Sequence, residues 1–357
     1  MDKSCFGCGV KLQTENKDEI GYVTESALSK EEVLCKRCFH IRNYNDSLNI
    51  ELNSDEFYKI LDSISGNDAL VVLLVDIFDF NGSMITGLNR FVQNDIIMIG
   101  NKFDLLPKSV KKGKVINWMK KAAKEQGLVV QDSTVISAES GFNLEASLEM
   151  IDRYRNGRDV YIVGCTNVGK STYINKLLTE FTDMEKGILT TSNFPGTTLE
   201  CVEIPLDEES AIIDTPGIIN EDQMVHYIDS KEYKMIVPKS VLRPKVYQQD
   251  KGQTYVLKNV AIIDVVSENK MSTVGFFSEQ LDIHRTKYVN KKNFLEKNAD
   301  KYFDNDVHET FKKHTLNVSA DEDLVISGLG WLKFSDNAIV NVFTYPGVGL
   351  IKRNSLV

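Results

Sequence analysis

The pattern of apolar and polar positions is clearest in the middle of the chain. Between about residues 50 and 219, short apolar runs alternate with amphipathic stretches of helical period. Near-continuous apolar runs are typical of strands buried on both faces of a parallel sheet. This alternation predicts an α/β layer fold. The predicted strands are residues 70–76, 96–100, 129–136, 159–163 and 211–214, and the predicted helices are residues 110–125, 144–155 and 170–178.

The two ends of the chain have different patterns. Residues 1–45 show little apolar periodicity, so this segment needs a staple in place of a core. Residues 221–357 mix short strands with polar helical stretches and lack a βαβ rhythm, which predicts an α+β domain. We therefore expect three domains, residues 1–45, 46–220 and 221–357. In the third, the predicted strands are residues 256–266, 274–277, 324–334 and 338–344, and the predicted helix is residues 288–314.

Composition and charge narrow the class of protein. The 42% hydrophobic and 26% charged residues are ordinary for a globular chain, and no apolar run reaches the roughly 20 residues of a membrane helix. The first residues carry no apolar leader, so we expect a cytoplasmic protein. The net charge of −9 argues against attraction of the whole surface to nucleic acid. Residues 221–357 are nevertheless nearly balanced, with 19 Lys and Arg against 18 Asp and Glu.

A glycine-rich loop follows one of the apolar runs. Gly164-Cys-Thr-Asn-Val-Gly169-Lys170-Ser171 has P-loop spacing and stands between a predicted strand and a predicted helix, as this motif requires. Its glycines allow backbone N–H groups to surround a β-phosphate at the positive end of the helix. We expect Lys170 to bridge the β- and γ-phosphates and Ser171 to bind Mg²⁺. The nucleotide-binding residues expected here are Gly164, Asn167, Val168, Gly169, Lys170, Ser171 and Thr172.

Two further segments are suited to the same phosphates. In Asp214-Thr-Pro-Gly217 an aspartate ends an apolar run, from where its carboxylate reaches Mg²⁺ and the Gly217 N–H reaches the γ-phosphate. Asn193-Phe-Pro-Gly-Thr-Thr198 is a loop with two hydroxyls, suited to a switch that covers the metal. We expect Thr198 to be the Mg²⁺ ligand of this switch, with Thr197 as the alternative.

A third pair of loops indicates which base is bound. Guanine presents N–H donors at its Watson–Crick edge, and Asp104 of Asn101-Lys102-Phe-Asp104 supplies a carboxylate that accepts them. This loop follows a predicted strand, the correct end of a sheet for a ligand. We expect Asn101 to tie the loop to the P-loop and the Lys102 stem to pack on the base. In Ser137-Ala138-Glu139, the Ala138 N–H is placed for the guanine oxygen. Together these motifs predict that the chain binds GTP and GDP.

The order of these motifs is unusual. In most GTPases the P-loop comes first, but here the base-reading loops precede it. A circular permutation accounts for this order, because the termini of compact domains often lie close together. The segment after Gly217 then leads directly into residues 220–357, and we expect GTP hydrolysis to reposition that region.

Four of the six cysteines are paired in sequence. They form C-x₂-C…C-x₂-C, which delivers four thiolates to Zn²⁺, whereas an iron–sulfur cluster is the less suited alternative. A four-thiolate site is closed, so its expected role is binding and not catalysis. The predicted zinc ligands are Cys5, Cys8, Cys35 and Cys38.

Together these motifs resemble the circularly permuted GTPases of the YqeH type. The resemblance rests on residues 5–38, 101–104, 137–139, 164–171, 195–198 and 214–217, and more loosely on residues 326–331. It implies a factor that assists assembly of the small ribosomal subunit and contacts its rRNA or proteins. We also expect a monomer with no membrane partner. Residues 284–292 interleave basic residues with an aromatic, which suits RNA, but a solvated helix face explains them equally well.

Activation of the attacking water is a separate question. Many GTPases carry a Gln just after the D-x-x-G motif, but Ile218 and Ile219 stand here. Either hydrolysis is slow and depends on a partner, or, as in GTPases that this chain resembles, Asn167 helps to hold a K⁺ ion beside the phosphates. The expected catalytic residues are Lys170, Asn167, Thr198 and Gly217. The rival classes are a GTP-binding scaffold with little turnover and a nucleotide-dependent metabolic enzyme.

Overall fold

The computed structural model describes residues 3, 11–15, 21–28, 33, 54–85, 87–181, 190–193, 200–267 and 269–357. The chain forms two compact units. Unit 1 comprises Met1–Ile77, Ser83–Phe103 and Met119–Ile219, and unit 2 comprises Phe78–Gly82, Asp104–Trp118 and Asn220–Val357. Two short segments of the central sequence therefore pack with the C-terminal part of the chain.

A seven-stranded sheet forms the centre of unit 1, in the order β3-β2-β1-β4-β7-β6-β5. The first five of these strands are parallel, and β6 and β5 extend the sheet antiparallel. All eight residues of β1 are buried, as its continuous apolar run predicts. The strands are β1 (Ala69–Asp76), β2 (Ile96–Asn101), β3 (Asp132–Val135), β4 (Asp159–Val163), β5 (Thr190–Asn193), β6 (Glu200–Pro205) and β7 (Ala211–Asp214).

Helices follow β1, β2, β3 and β4, whereas β6 and β7 form a hairpin. The α/β prediction is confirmed. The strand predicted at residues 129–136 is shorter than expected, because Val129 is exposed and pairing begins at Asp132. The α-helices of this part of the chain are α1 (Ser54–Ser65), α2 (Phe80–Ser83), α3 (Leu88–Phe91), α4 (Lys112–Glu125), α5 (Leu144–Arg155) and α6 (Lys170–Phe181).

Two five-stranded antiparallel sheets form most of unit 2, in the orders β12-β9-β10-β16-β13 and β17-β14-β15-β11-β8. Their apolar side chains share one large core, and the largest fully buried side chain is Trp331. The strands are β8 (Lys245–Gln249), β9 (Gln253–Leu257), β10 (Ala261–Val266), β11 (Met271–Phe277), β12 (Ile283–Lys287), β13 (Lys312–Val318), β14 (Glu322–Ile326), β15 (Gly330–Phe334), β16 (Ala338–Thr344) and β17 (Leu350–Asn354).

Three predictions for this region were wrong in detail. The strand expected at residues 256–266 is a hairpin, since Asn259 turns the chain with φ 59° between β9 and β10. The strand expected at residues 324–334 is likewise β14 and β15, separated at Gly328 with φ 75°. The long helix expected at residues 288–314 is α8 (Lys291–Tyr302), a 3₁₀ segment with two left-handed residues, and then β13.

Short helices complete the architecture. Helix α7 (Ser230–Ile236) begins at Asp229, whose side chain accepts hydrogen bonds from the N–H groups of Lys231 and Glu232. The 3₁₀ helices are Glu25–Ala27, Phe103–Leu105, Met224–His226, Tyr288–Asn290 and Asp304–Thr310. Among the described residues, none of the helices combines the length and apolarity needed to cross a membrane.

Candidate functional site

The glycine-rich loop joins β4 to α6, as the motif predicts. Two of its glycines are required by close neighbours. A Cβ on Gly164 would lie 2.5 Å from the Leu74 carbonyl oxygen, and a Cβ on Gly169 would lie 2.4 Å from Asn101 Nδ2. Gly169 also has φ 91°, a conformation that residues with a Cβ rarely adopt. The P-loop is therefore packed tightly against β1 and against Asn101, the last residue of β2.

The Asn101 side chain connects three loops at the carboxyl edge of the sheet. Its Nδ2 donates to the Val168 carbonyl at 2.9 Å, while its Oδ1 accepts from the N–H groups of Lys102 at 2.8 Å and Ala138 at 2.9 Å. The side chain is buried, so these bonds are well shielded from water. Asn101 thus ties the loop 101–104 to the P-loop. The Ala138 N–H, which we expected to meet a guanine oxygen, donates to Asn101 in this structure.

The Lys102 ammonium lies between two oxygens. It donates to Asp76 Oδ2 at 2.7 Å and to the Asn167 carbonyl at 2.8 Å. The backbones of Lys102 and Asn167 are both left-handed, with φ 65° and 63°. The loop 101–104 and the P-loop are thereby joined through a charge-assisted contact.

Asp104 lies on the loop 101–104, and Ser137 lies on the loop 137–139. Asp104 is part of the 3₁₀ turn Phe103–Leu105, which directly follows β2, and the Phe103 N–H donates to the Ile136 carbonyl at 3.0 Å. Ser137 is fully buried and its Oγ accepts from the Ser140 N–H at 3.1 Å. Phe103 and Phe142 stack with ring centroids 5.4 Å apart. These contacts fix the loop 137–139 beside the start of the loop 101–104.

Lys170 and Asp214 form the charged part of the phosphate site. Burial lowers the pKa of Lys170, an effect that Asp214 and Cys165 oppose. Burial raises the pKa of Asp214 to about 6, against the opposing effect of Lys170. Asp214 Oδ1 is buried and accepts no hydrogen bond from the described residues. A buried carboxylate oxygen at the end of β7 fits the water-mediated Mg²⁺ contact expected of it, and the metal would lower the cost of its charge.

The segment after β7 is bonded directly to the P-loop. The Thr166 N–H donates to the Ile218 carbonyl at 2.8 Å, and the Ile218 N–H donates to the Gly164 carbonyl at 3.3 Å. Gly217 approaches Lys170 closely, since a Cβ there would lie 3.0 Å from Lys170 Nζ. Loss of a γ-phosphate bound beside Lys170 would therefore be expected to shift the backbone at Gly217 and Ile218.

Some predicted site residues fall outside the described ranges. These are the switch threonines Thr197 and Thr198 and the cysteines Cys5, Cys8, Cys35 and Cys38. Within the ranges that the structure describes, no group of three or more His, Cys, Asp or Glu is placed to hold a metal ion. The proposed zinc site stays a prediction from spacing.

Sequence reasoning missed Asp76. This buried residue ends β1 beside Asn101 of β2 and contacts Lys102. A signal was present, because Asp76 closes an apolar run just as Asp214 does, and the carboxyl ends of parallel strands are where ligand-binding side chains gather.

The fold and the site define a class. A P-loop lies between a parallel strand and a helix, a carboxylate ends the adjacent strand, and the loop 101–104, whose sequence is the one expected to read guanine, is bonded to the P-loop through Asn101. These are the parts of a P-loop GTPase, arranged in permuted order. Such a protein hydrolyses GTP with Mg²⁺.

Comparison with known proteins is consistent with this class. Residues 159–274 match the family described as "50S ribosome-binding GTPase", and residues 270–356 match the family described as "YqeH-like, C-terminal". The "Uncharacterized protein YqeH" of Bacillus subtilis (strain 168) is 44% identical, over 99% of both chains. This chain belongs to the YqeH family of circularly permuted GTPases.

More distant proteins are also similar. "NO-associated protein 1, chloroplastic/mitochondrial" of Arabidopsis thaliana is 26% identical over 92% of this chain and 69% of its own length. The GDP-bound structure of TM YlqF is 20% identical, covers 50% of this chain and 71% of that chain, and has a TM-score of 0.33.

Proposed function

We propose that this GTPase assists assembly of the small ribosomal subunit, binding its precursor in one nucleotide state and leaving it in the other. The observation that carries the proposal is the bonding of Ile218 to the P-loop, two residues before unit 2 resumes at Asn220. Events at the γ-phosphate are thereby transmitted along the chain into the part that would contact the ribosome. The resemblance to YqeH-type GTPases supplies the ribosomal partner.

The guanine assignment is part of the proposal. Asp104 would accept the N–H donors of guanine, and Asn101, Lys102, Ser137 and Ala138 would frame the base. Lys170, Ser171, Asp214 and Gly217 would serve the phosphates and Mg²⁺, joined by Thr198 or Thr197 from the switch. A metabolic kinase is disfavoured because Asp104 suits guanine and not adenine. In addition, the motifs found in the sequence include no catalytic base that would deprotonate a second substrate.

The RNA-binding surface is proposed at residues 285–292. Arg285, Lys287, Tyr288 and Lys292 are exposed there, so positive charges flank an aromatic ring that could stack on a base. By contrast, Trp331 is fully buried and Lys291 is paired with Asp264 at 2.8 Å, so neither belongs to this surface.

Cosedimentation tests the ribosomal partner. The full chain is mixed with purified small or large subunits in the presence of GDP or a non-hydrolysable GTP analogue, at several salt concentrations. We expect salt-sensitive, nucleotide-dependent binding to the small subunit and faster GTP hydrolysis in its presence. Binding to the large subunit alone, or equal binding with both nucleotides, would reject the proposal.

A matched pair of variants tests the surface. Lys287→Glu with Lys292→Glu should abolish most of this binding, because each reversal replaces attraction to phosphate by repulsion. Lys239→Glu with Lys270→Glu, two exposed lysines elsewhere in unit 2, makes the same change in net charge. If both pairs weaken binding equally, charge alone matters and the surface is placed incorrectly.

The K⁺ proposal concerns Asn167. Its side chain is exposed on the left-handed turn of the P-loop, and Ile218 occupies the position where many GTPases have a Gln. A K⁺ ion held there would supply the positive charge that an arginine finger gives to other GTPases. Hydrolysis should be faster in KCl than in NaCl at equal ionic strength, and Asn167→Ala should remove the difference. Equal rates of the wild type in both salts would refute it.

The zinc proposal concerns Cys5, Cys8, Cys35 and Cys38. Their spacing supports one Zn²⁺ per chain in a closed binding module within residues 1–45. Elemental analysis of the purified protein should find about one zinc per chain. Iron and acid-labile sulfide would instead favour a cluster, and the absence of both metals would end the proposal. A monomeric, cytoplasmic protein is the remaining expectation.

A further inference from the structure

Lys102 has a backbone conformation that its neighbours must maintain. Its φ of 65° lies in the left-handed region, which costs a residue with a Cβ roughly 1 kcal/mol or more. The side chain of the preceding Asn101 accepts from the Lys102 N–H, and the Lys102 ammonium is anchored at its far end. The conformation of the loop 101–104 therefore depends on contacts at both ends of one residue.

Asp76 provides the charged anchor. Its Oδ2 lies 2.7 Å from Lys102 Nζ, and the two side chains are 9% and 27% exposed. An ion pair with one partner so well shielded is weakened less by water and salt than a surface pair. Loss of the carboxylate would remove the charged partner of the ammonium and leave the neutral Asn167 carbonyl, so that the long lysine side chain could turn towards solvent more easily.

The anchor is itself held in place. Asp76 stands opposite Asn101 in the parallel pairing of β1 with β2. Ser83 Oγ accepts from the Asp76 N–H at 2.9 Å and donates to the Asp76 carbonyl at 3.3 Å, which closes the chain reversal after β1. The carboxylate consequently projects from a rigid strand end and not from a mobile loop.

We propose that Asp76 is a positioning residue for guanine binding: it fixes the Lys102 side chain and so holds the loop 101–104 in the conformation that receives the base. The inference rests on the proposed assignment of that loop to guanine. Asp76 acts through Lys102, and its contribution is to binding of the base in the ground state and the transition state alike. Substitution should therefore raise KM and leave kcat nearly unchanged.

The experiment is a double-mutant cycle in the full-length protein. The affinity for GDP and the kcat and KM for GTP are measured for wild type, Asp76→Asn, Lys102→Met and the double variant. Asp76→Asn should weaken GDP binding and raise KM about tenfold, which corresponds to about 1.4 kcal/mol. Lys102→Met keeps the stem and removes the ammonium, so the double variant should bind GDP no more weakly than Lys102→Met alone.

Asp95→Asn is the matched control. Asp95 precedes β2 at the opposite edge of the same sheet and pairs with Arg158 at 3.0 Å. Asp95→Asn removes the same charge and also breaks an ion pair, a more exposed one with an arginine, and should leave GDP affinity unchanged. Should Asp76→Asn not fold, Asp76→Ser takes its place in the cycle.

The outcomes separate this inference from the guanine assignment. If wild type does not prefer GDP over ADP, the assignment of the loop fails. If wild type prefers GDP but Asp76→Asn binds it normally, changes kcat and not KM, or adds its full effect to that of Lys102→Met, only the role of Asp76 is overturned.

Discussion

Buried charges occur in both units, but their surroundings differ. In unit 1, Lys170 follows the P-loop and Asp214 ends β7. Burial lowers the pKa of Lys170 and raises that of Asp214, so that it favours the neutral form of each side chain. In unit 2, the Arg353 guanidinium lies between the rings of Trp118 and Trp331, 5.0 Å from each centroid. It also donates to Asn81 Oδ1 at 3.1 Å and stands 3.7 Å from the Asp323 carboxylate.

These surroundings indicate that the unit 1 charges are placed to act on a ligand, whereas the Arg353 charge is placed to stabilise the fold of unit 2. The unit 1 pair faces the loop expected to bind the phosphates, so removing one of its members should cost activity more than stability. Arg353 connects strand β17 with two segments from earlier in the chain, residues 78–82 and 104–118. Burial lowers its pKa to about 10, which still leaves it charged at neutral pH. Removing it should cost stability first.

The largest expected effect is at Lys170. Lys170→Ala should lower kcat/KM for GTP by about 10³-fold, because the negative charge that develops on the phosphate oxygens in the transition state loses a preorganised cation. The free energy of unfolding without nucleotide should change little, because the unfavourable burial of the Lys170 charge is removed and Asp214, whose pKa burial already raises to about 6, can take up a proton. Phosphate release and urea denaturation measure the two quantities. Lys121→Ala, an exposed lysine of α4, should change neither. Retained hydrolysis in Lys170→Ala would mean that the Lys170 charge does not act on the nucleotide.

The converse effect is expected at Arg353. Arg353→Leu should lower the free energy of unfolding by about 3–5 kcal/mol, because Asp323 is left as a buried charge and the two tryptophans lose their shared neighbour. Urea denaturation checks this. Lys352→Leu on the same strand breaks only a more exposed pair with Glu322 and should cost less than about 1 kcal/mol. Similar losses in the two variants would mean that Arg353 has no special structural role.

Two glycines of unit 1 with similar backbones, one in the P-loop and one away from it, test whether close packing at the P-loop controls nucleotide affinity. Gly169→Ala should weaken GDP binding about tenfold to a hundredfold, because its Cβ would displace Asn101 Nδ2, 2.4 Å away. Gly127 has a similar backbone, with φ 78° against 91°, but an added Cβ there meets no atom within 4 Å. Gly127→Ala should therefore cost about 1 kcal/mol of stability and leave affinity unchanged. Fluorescent-nucleotide titration distinguishes the two.

The residues changed in these variants differ in how far the sequence alone predicts their contacts. The P-loop, the strand before it and the loop 101–104 could be predicted because their chemistry depends on neighbours in sequence. The contacts Asp76–Lys102 and Arg353–Trp118 could not, because chain folding alone brings them together. In unit 2, turn residues at Asn259 and Gly328 were available as signals, but the apolar runs on both sides of each turn lie so close in sequence that the pattern predicted one strand in place of a hairpin.

The smallest expected effect is a pH dependence at His284. Its ring stacks on Phe294 at 4.2 Å, and burial lowers its pKa, with Lys301 adding to the shift and Asp282 opposing it. Because the folded-state pKa is depressed, the contribution to stability is complete above about pH 6.5 and is lost as the pH falls through the folded-state value. Solvent screening keeps it below about 1 kcal/mol.

Comparison with His284→Phe isolates this contribution. The free energy of unfolding of wild type, relative to the variant, should fall between about pH 7 and pH 5. A constant difference between the two proteins over this range would show that His284 titrates normally.

We propose that the loop 101–104, which precedes the P-loop in sequence, reads guanine through Asp104. Xanthine carries a carbonyl where guanine carries its exocyclic amine, so Asp104→Asn exchanges the acceptor for a donor that suits xanthine. The most direct measurement is competition of GDP and xanthosine diphosphate for the nucleotide site of wild type and Asp104→Asn. We predict that wild type prefers GDP and that the variant prefers xanthosine diphosphate. An unchanged preference for GDP in the variant would contradict the account.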